Sequence, residues 1–349
     1  MTDLTVSRPK ARLSSMAAVL RAAGVPPEVS VVIPTRRRPV LLAGGIAALA
    51  VQDIQPYRYE IIVCDGGPDA DTERVVLALA EKYRPAGHLI LYIPVTASQG
   101  PAGARNRGWR AAASPVIAFT DDDTMPGCGW LHAGLRAIER GPAAVAGRIH
   151  VPLPRRPTIY ELDAARLARA EFATANCFVR RSVLERIGGF DQRYTAGWRE
   201  DSDLQFSIIR AGGIIARADD AVVIHPVAPA HWWSGIAQQK KSQFEALLFK
   251  KHKRLYKSRI GNSPPWAYYG AFVFLAAGAA GLLEHSTPVA TTGFAGWTIL
   301  TLWFAAQRLR RTARTLPHVT GVLATSMVIP PLSLFWRLYG AMKFRVPFL

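Results

Sequence analysis

Three consecutive carboxylates, Asp121, Asp122 and Asp123, follow an apolar run with the pattern of a buried strand. Negative charges this close repel one another unless protons or a cation offset them. Hard divalent cations such as Mg²⁺ and Mn²⁺ bind carboxylate oxygens together with phosphate oxygens. The triplet therefore indicates either a divalent metal site or an ordinary solvated acidic turn.

A second acidic pair, Glu200 and Asp201, opens a stretch with helical spacing. A carboxylate held beside a reacting hydroxyl can remove its proton, so the pair is a candidate for general base catalysis. Acidic residues at a helix start are also ordinary capping and dipole residues. His225 follows a later apolar run and is either a further metal or phosphate ligand or a structural residue.

Strands and helices alternate through the first part of the chain. Continuous apolar runs predict strands at 29–34, 59–64, 89–95 and 116–120, with helices at 40–51, 72–83 and 102–113 between them. Shorter elements are expected at 144–151, 173–178, 181–187 and 201–211. This alternation predicts an α/β fold with a doubly wound, Rossmann-like sheet. Ligands of such sheets bind beyond the carboxyl ends of the strands, where the polar clusters of this sequence fall.

Six segments occur in an order that resembles the family 2 glycosyltransferases, inverting enzymes with the GT-A fold. The segments are VSVVIPT (29–35), IIVCDGG (61–67), GPAGARNRG (100–108), FTDDD (119–123), NCFVRRSVLERIGGFD (176–191) and WREDSDL (198–204). The resemblance covers about residues 29–226. It implies a GT-A domain with a mixed sheet, a nucleotide-sugar donor and a divalent cofactor, Mg²⁺ or Mn²⁺.

The resemblance also implies roles for single residues. The implied donor-binding residues are Pro34, Thr35, Asp65, Arg105 and Asp121, with Asp65 beside the base. The implied metal ligands are Asp121 and Asp123, and His225 is a further candidate. The implied catalytic residues are Asp201, as the general base, and its neighbour Glu200. Asn176 and Trp198 are expected on the acceptor side, with packing as the alternative. Gly66 stands where many members carry an acidic or amide residue, which leaves the identity of the base open.

The C-terminal part of the chain has a different composition. Stretches 266–283 and 287–307 contain no charged residue, and each approaches the roughly 20 residues that cross a bilayer. A third stretch, 316–336, contains Pro330 and Pro331. Eight Lys or Arg residues between Lys240 and Arg259 precede the first stretch, which predicts a basic amphipathic interfacial helix at 236–262. The expected organisation is a basic leader at 1–28, a catalytic domain at 29–235, that helix, and a membrane region at 263–349.

The charge and the cysteines bear on location. The net charge of +18 suits an anionic membrane surface or a phosphate-rich substrate, and its position before the apolar stretches argues against nucleic acid. Three widely spaced cysteines and no secretory signal predict a catalytic domain in the cytoplasm, on a multi-pass protein of the inner membrane. Four arginines follow the second stretch, which places its end inside, and a full third crossing would put Arg337, Lys343 and Arg345 outside. We therefore expect the third stretch to turn back at its prolines or lie at the interface, with a full span as the alternative.

The expected reaction is transfer of one sugar from a UDP-sugar to a lipid-linked or surface glycan. Processive members usually carry a Q-x-x-R-W motif, whereas lysines follow Gln238 and Gln239 here. A catalytically inactive nucleotide-sugar-binding membrane scaffold is one alternative. A nucleotidyltransferase on a related fold is another, although Thr35 is followed by three arginines and not by a glycine-rich loop. The sugar, the linkage and the oligomeric state are left open.

Overall fold

The computed structural model describes residues 26–55, 57–96, 100–261 and 265–348. These residues form two compact units. The first contains the described residues through His150 together with Ala168–Pro226, and the second contains Val151–Leu167 and the described residues from Val227 onward. Most of the predicted leader lies outside the described residues.

A mixed sheet of eight strands forms the centre of the first unit. The strands are β1 (Val29–Thr35), β2 (Tyr59–Asp65), β3 (Leu89–Pro94), β4 (Val116–Thr120), β5 (Met125–Pro126), β6 (Ala144–His150), β7 (Asn176–Arg180) and β8 (Ile215–Ile224). Their order is β3-β2-β1-β4-β7-β6-β8-β5. The first four in that order are parallel, whereas β7 is antiparallel to both β4 and β6. The predicted α/β class with a mixed sheet is confirmed.

Twelve α-helices are found in the described residues. They are α1 (Pro39–Leu49), α2 (Ala70–Tyr83), α3 (Pro101–Ala111), α4 (Trp130–Glu139), α5 (Ile159–Ala165), α6 (Arg181–Ile187), α7 (Glu200–Arg210), α8 (Ser234–Gln238), α9 (Gln243–Arg259), α10 (Trp266–Leu283), α11 (Thr287–Leu309) and α12 (Leu316–Phe344). Short 3₁₀ turns occur at Arg84–Ala86, Arg166–Arg169 and Gln239–Ser242. Helices α4 and α5 and the two-residue strand β5 were not predicted.

The core explains why the first strands are continuously apolar. Val31 and Ile33 of β1 pack into the cluster on one face of the sheet, and Val32 packs into the cluster on the other face. All seven residues of β1 are buried. A central parallel strand with both faces covered needs this pattern, and it places the polar residue Thr35 at the strand end.

In the second unit, α10 and α11 form a closely packed hairpin. A Cβ atom added to Gly293 would lie 2.3 Å from the backbone nitrogen of Gly278, so the two backbones approach without intervening side chains. Small residues at such crossings are typical of helices that associate in lipid. By length and composition, three helices (α10, α11 and α12) could each cross a membrane.

Helix α12 continues through Pro330 and Pro331 over 29 residues. The predicted turn at these prolines is therefore wrong. The helix lies along the chain segment 232–250, and its contacts pair Gly321 with Trp232, Trp336 with Lys240, Lys343 with Gln243, and Phe344 with Lys250. Because this packing holds both halves of the helix, the loss of two N–H donors does not break it.

The predicted basic helix at 236–262 consists of α8, a 3₁₀ turn and α9. Seven consecutive residues at the start of α9, from Gln243 to Phe249, are buried. A helix with one solvated face would not bury seven in a row, so this half is not amphipathic. Its partner is α12, which brings Phe344 to within 6.5 Å of Phe244, measured between ring centroids.

Candidate active site

The three predicted metal ligands meet at one edge of the sheet. Single ligand atoms of Asp121, Asp123 and His225 lie within 4.8 Å of one another. Asp121 and Asp123 follow β4, and His225 follows β8 and donates its backbone N–H to His150 O at 2.8 Å. The sheet brings them together because β8 is parallel to β6, which lies antiparallel to β7 and therefore points the same way as β4.

The atoms of this cluster fit a divalent cation. Two carboxylates supply hard oxygen ligands, and the His225 Nε2 atom, 3.4 Å from Asp123 Oδ1, supplies a nitrogen. All three side chains are half-buried, which leaves coordination positions open for phosphate oxygens and water. The ligand set suits Mg²⁺ or Mn²⁺.

The middle carboxylate of the triplet has a different environment. Thr35 Oγ1 donates a hydrogen bond of 2.7 Å to Asp122 Oδ2, and Arg38 lies 3.4 Å from Asp122 Oδ1 and 3.1 Å from Asp123 Oδ2. Burial raises the pKa of Asp122 to about 6, although the bond from Thr35 opposes the shift. Asp122 thus ties the end of β1 to the end of β4.

Arg105 connects the acidic triplet to the second acidic pair. It projects from α3 and is only 3 % exposed. Its Nη2 atom donates to Asp121 Oδ1 at 2.7 Å, and its Nη1 atom donates to Glu200 Oε1 at 3.4 Å. The aromatic ring of Phe190 lies 5.7 Å from the guanidinium carbon. The buried guanidinium of Arg105 therefore donates hydrogen bonds to carboxylates on both sides of the site.

Glu200 and Asp201 begin α7. The residue before them, Arg199, has a φ of +70°, a left-handed conformation that is uncommon outside glycine and is found mainly where function or packing requires it. Thr174 Oγ1 donates to Asp201 Oδ1 at 2.5 Å. The chain enters the helix through a strained residue and holds Asp201 from a separate segment, which fixes the orientation of that carboxylate.

Burial controls the proton affinity of this pair. Burial and the nearby charge of Asp201 together raise the pKa of Glu200 to about 8, while Arg105 opposes the shift. Burial also raises the pKa of Asp201, against the stabilising effects of Arg105 and Thr174. Glu200 Oε2 has no hydrogen-bond partner among the described residues. The buried pair therefore binds protons more tightly than exposed carboxylates do.

Asp65 lies at the end of β2, opposite Thr35 of β1. Its two oxygens accept hydrogen bonds of 3.0 Å, Oδ1 from the Gly67 backbone and Oδ2 from the Tyr92 hydroxyl. The side chain is fully buried. Pro34 precedes Thr35 in the same strand and is also buried. These residues line the same sheet edge as the acidic triplet, and their roles in donor binding stay predictions.

The two residues expected on the acceptor side differ in their exposure to solvent. Asn176 is buried, with Nδ2 donating to the backbone oxygens of Arg148 (2.9 Å) and Ala221 (2.8 Å) and Oδ1 accepting from Trp130 (2.8 Å). These three hydrogen bonds give Asn176 a structural role that needs no contact with a substrate. Trp198, two residues before the acidic pair, is 43 % exposed, and its place on the acceptor side stays a prediction.

Four residues of this site were not assigned from the sequence: Arg38, Tyr92, Asp122 and Thr174. The run of three arginines after β1 and the third acidic residue of the triplet were visible signals for Arg38 and Asp122. Tyr92 and Thr174 lie 27 residues from the carboxylates they contact, and no local pattern marks them.

Residues 30–190 match the family model described as glycosyl transferase family 2. Two curated relatives illustrate the similarity. Glycosyltransferase AglE of Haloferax volcanii is 26 % identical over 215 residues, 58 % of this chain and 68 % of the relative. The GalNAc(5)-diNAcBac-PP-undecaprenol beta-1,3-glucosyltransferase of Campylobacter jejuni is 32 % identical over 121 residues, 35 % of this chain and 38 % of the relative. The chain thus spans about two thirds of one and under two fifths of the other.

A solved structure gives a longer match. The mannosyltransferase PcManGT from Pyrobaculum calidifontis, in complex with GDP-Man and Mn²⁺, aligns over 94 % of both chains with a TM-score of 0.56. The sequence identity is 20 %, so the likeness concerns the fold. It confirms the GT-A architecture expected from the sequence motifs.

Proposed function

Since this chain carries a family 2 glycosyltransferase domain with the GT-A fold, we propose that it transfers a single sugar from a nucleotide-sugar donor with inversion at the anomeric carbon. The proposed donor is a UDP-sugar, and the acceptor is a lipid-linked or surface glycan. The observation that carries the proposal is the bridge of Arg105 between Asp121 and Glu200. It joins a cluster suited to a diphosphate with a pair suited to proton removal.

The donor half of the proposed site has three groups of residues. Pro34, Thr35 and Asp65 line the nucleotide side. Asp121, Asp123 and His225 would hold the Mg²⁺ or Mn²⁺ ion, which when bound offsets negative charge on the departing diphosphate. Arg105 orients Asp121 through its hydrogen bond to Oδ1.

The acceptor half supplies the base. Asp201 removes the proton of the acceptor hydroxyl as that oxygen bonds to the anomeric carbon. The bond from this carbon to the diphosphate oxygen breaks, and the departing nucleotide keeps the electron pair. Thr174 orients Asp201, and Glu200 stays protonated, so it does not compete for the proton.

Two observations support a membrane-bound acceptor. By its name, the relative from Campylobacter jejuni uses a glycan carried on PP-undecaprenol. Within the described residues, three helices are long and apolar enough to cross a membrane. We propose that the catalytic unit works at the cytoplasmic face of the inner membrane and that α10 and α11 cross the bilayer.

The test uses the full chain purified in detergent with UDP-, GDP- and dTDP-sugars, and measures nucleotide release with Mn²⁺, with Mg²⁺ and with EDTA. We expect one class of donor to be consumed, only when a divalent ion is present. Asp123→Ala should abolish release, whereas the control Asp219→Ala, which removes an exposed carboxylate, should not. Donor binding without release under every condition would favour the inactive scaffold, and equal turnover in EDTA would exclude the metal.

A further inference from the structure

Two loops of the second unit meet at a cluster of arginines. The stretch before α5 supplies Arg155 and Arg156, and the connection from α11 to α12 supplies Arg311 and Arg314. The loops are joined by a backbone hydrogen bond of 2.9 Å from Ala313 N to Pro157 O. The four arginines, with Thr312, line a cavity of about 330 Å³, which we call the arginine pocket.

The charge of the arginine pocket is not compensated within the described residues. None of its four arginines has an ion pair within the described residues, and the carboxylates of the neighbouring helix α5 have other partners. Glu161 closes a capping box with Thr158, and Asp163 pairs with Arg166 at 3.2 Å. The four side chains are exposed, so water screens part of their mutual repulsion, and an anion bound among them would offset the remainder. Guanidinium groups match the paired oxygens of a phosphate, so a phosphate or diphosphate is the expected ligand.

A second cavity distinguishes a lipid from a free anion. It has a volume of about 320 Å³ and is lined by the apolar residues Ala306, Leu309 and Val319 together with Arg310 and Arg314. Arg314 is shared by both cavities, so a charged space adjoins an apolar one. A free phosphate has no apolar part that could fill the second cavity, whereas an amphiphile with a phosphate headgroup would fill both cavities.

The position of the two cavities in the fold is consistent with a lipid ligand. Both cavities lie where α11 ends and α12 begins, and each of these helices is long and apolar enough for lipid contact. Clusters of basic residues beside such helices are typical headgroup sites. We propose that the arginine pocket binds the phosphate headgroup of a membrane lipid, with the hydrocarbon chain of that lipid against Leu309 and Val319.

The test measures lipid binding and does not depend on sugar transfer. Native mass spectrometry would count lipids bound to the full chain, delipidated in neutral detergent, during titration with dioctanoyl phosphatidylglycerol, a short polyprenyl phosphate, dioctanoyl phosphatidylcholine or inorganic pyrophosphate. We expect one of the two anionic lipids to bind at least about tenfold more tightly than phosphatidylcholine. The preferred lipid identifies the source of the phosphate. Stronger binding of pyrophosphate than of either anionic lipid would overturn the lipid assignment.

Variants distinguish lipid binding at the arginine pocket from nonspecific attraction to basic residues elsewhere on the protein. The double variant Arg311→Gln, Arg314→Gln should weaken binding of the anionic lipid about tenfold or more, and lysine at both positions should restore only part of it. The control Lys253→Gln, Lys257→Gln removes the same charge from α9, outside the pocket, and should bind nearly as wild type. Equal losses in both double variants, or none in the arginine variant, would refute the proposal. Circular dichroism spectra would verify folding.

Discussion

The substitution Asp201→Asn should separate proton removal from folding. Asp201 Oδ1 accepts a 2.5 Å hydrogen bond from Thr174, and the amide oxygen of asparagine can accept the same bond. The variant keeps the shape of the side chain and this contact, but it cannot take a proton from a hydroxyl. A general base contributes about 10²- to 10⁴-fold to the rate. We therefore expect turnover to fall by that factor, equivalent to roughly 3–5 kcal/mol at the transition state.

The matched control is Glu200→Gln at the neighbouring position. Burial raises the pKa of Glu200 to about 8, which favours the neutral form of this side chain at pH 7. Glutamine resembles the neutral form that already predominates. Turnover at pH 7 should therefore change by less than about threefold, although the residue is only one position away from the proposed base.

The assay is nucleotide release at pH 7 with saturating donor and acceptor, combined with calorimetry of donor binding. Donor affinity should stay near the wild-type value in both variants, because neither carboxylate belongs to the proposed donor half. If Glu200→Gln lost as much turnover as Asp201→Asn, or more, the assignment of the base to Asp201 would be wrong. Near-normal turnover in Asp201→Asn would refute it as well.

Two further predictions concern stability and topology. The folded protein binds more protons than the unfolded chain between the ordinary Glu200 pKa of 4.5 and its folded value of about 8, so its thermal stability should decrease as pH rises through this window. Glu200→Gln should flatten that dependence in scanning calorimetry, and a melting temperature that rises with pH would contradict the reasoning. A cysteine introduced at Phe348, in a chain without its three native cysteines, should react with an impermeant thiol reagent only after the cells are opened. The physical reason is that Phe344 and Lys343 contact the basic segment around Lys250 and Gln243. Labelling in intact cells would place this end outside.

Features that depend on short-range physics were predictable from the sequence. The bounds of α10 match the predicted stretch 266–283, because a run of uncharged residues long enough for a bilayer has clear ends. The strand β1 was evident from its continuous apolar pattern. Position after a strand also indicated that Asp121, Asp123 and His225 would lie at one edge, and the structure brings them together.

Features that depend on distant partners were not predictable. The bond from Arg105 to Glu200 joins residues 95 positions apart, and nothing near either residue indicates it. The helical path through Pro330 goes against the local preference of proline, because packing along the 232–250 segment outweighs that preference. The burial that raises the pKa of Glu200 likewise comes from the tertiary structure and has no local signal.

The pairing of α9 with α12 also has a consequence for synthesis of the chain. The bond from Lys250 to Phe344 spans 94 residues, and the bond from Lys343 to Gln243 spans 100. At roughly 5–20 residues per second, a ribosome needs about 5–20 s to make that intervening length. During this interval the apolar side chains of Phe244 and its neighbours have been synthesised without the helix that covers them. A truncated chain ending after α9 would keep that surface uncovered permanently, so a soluble catalytic fragment should end near Pro226, before the segment that α12 covers.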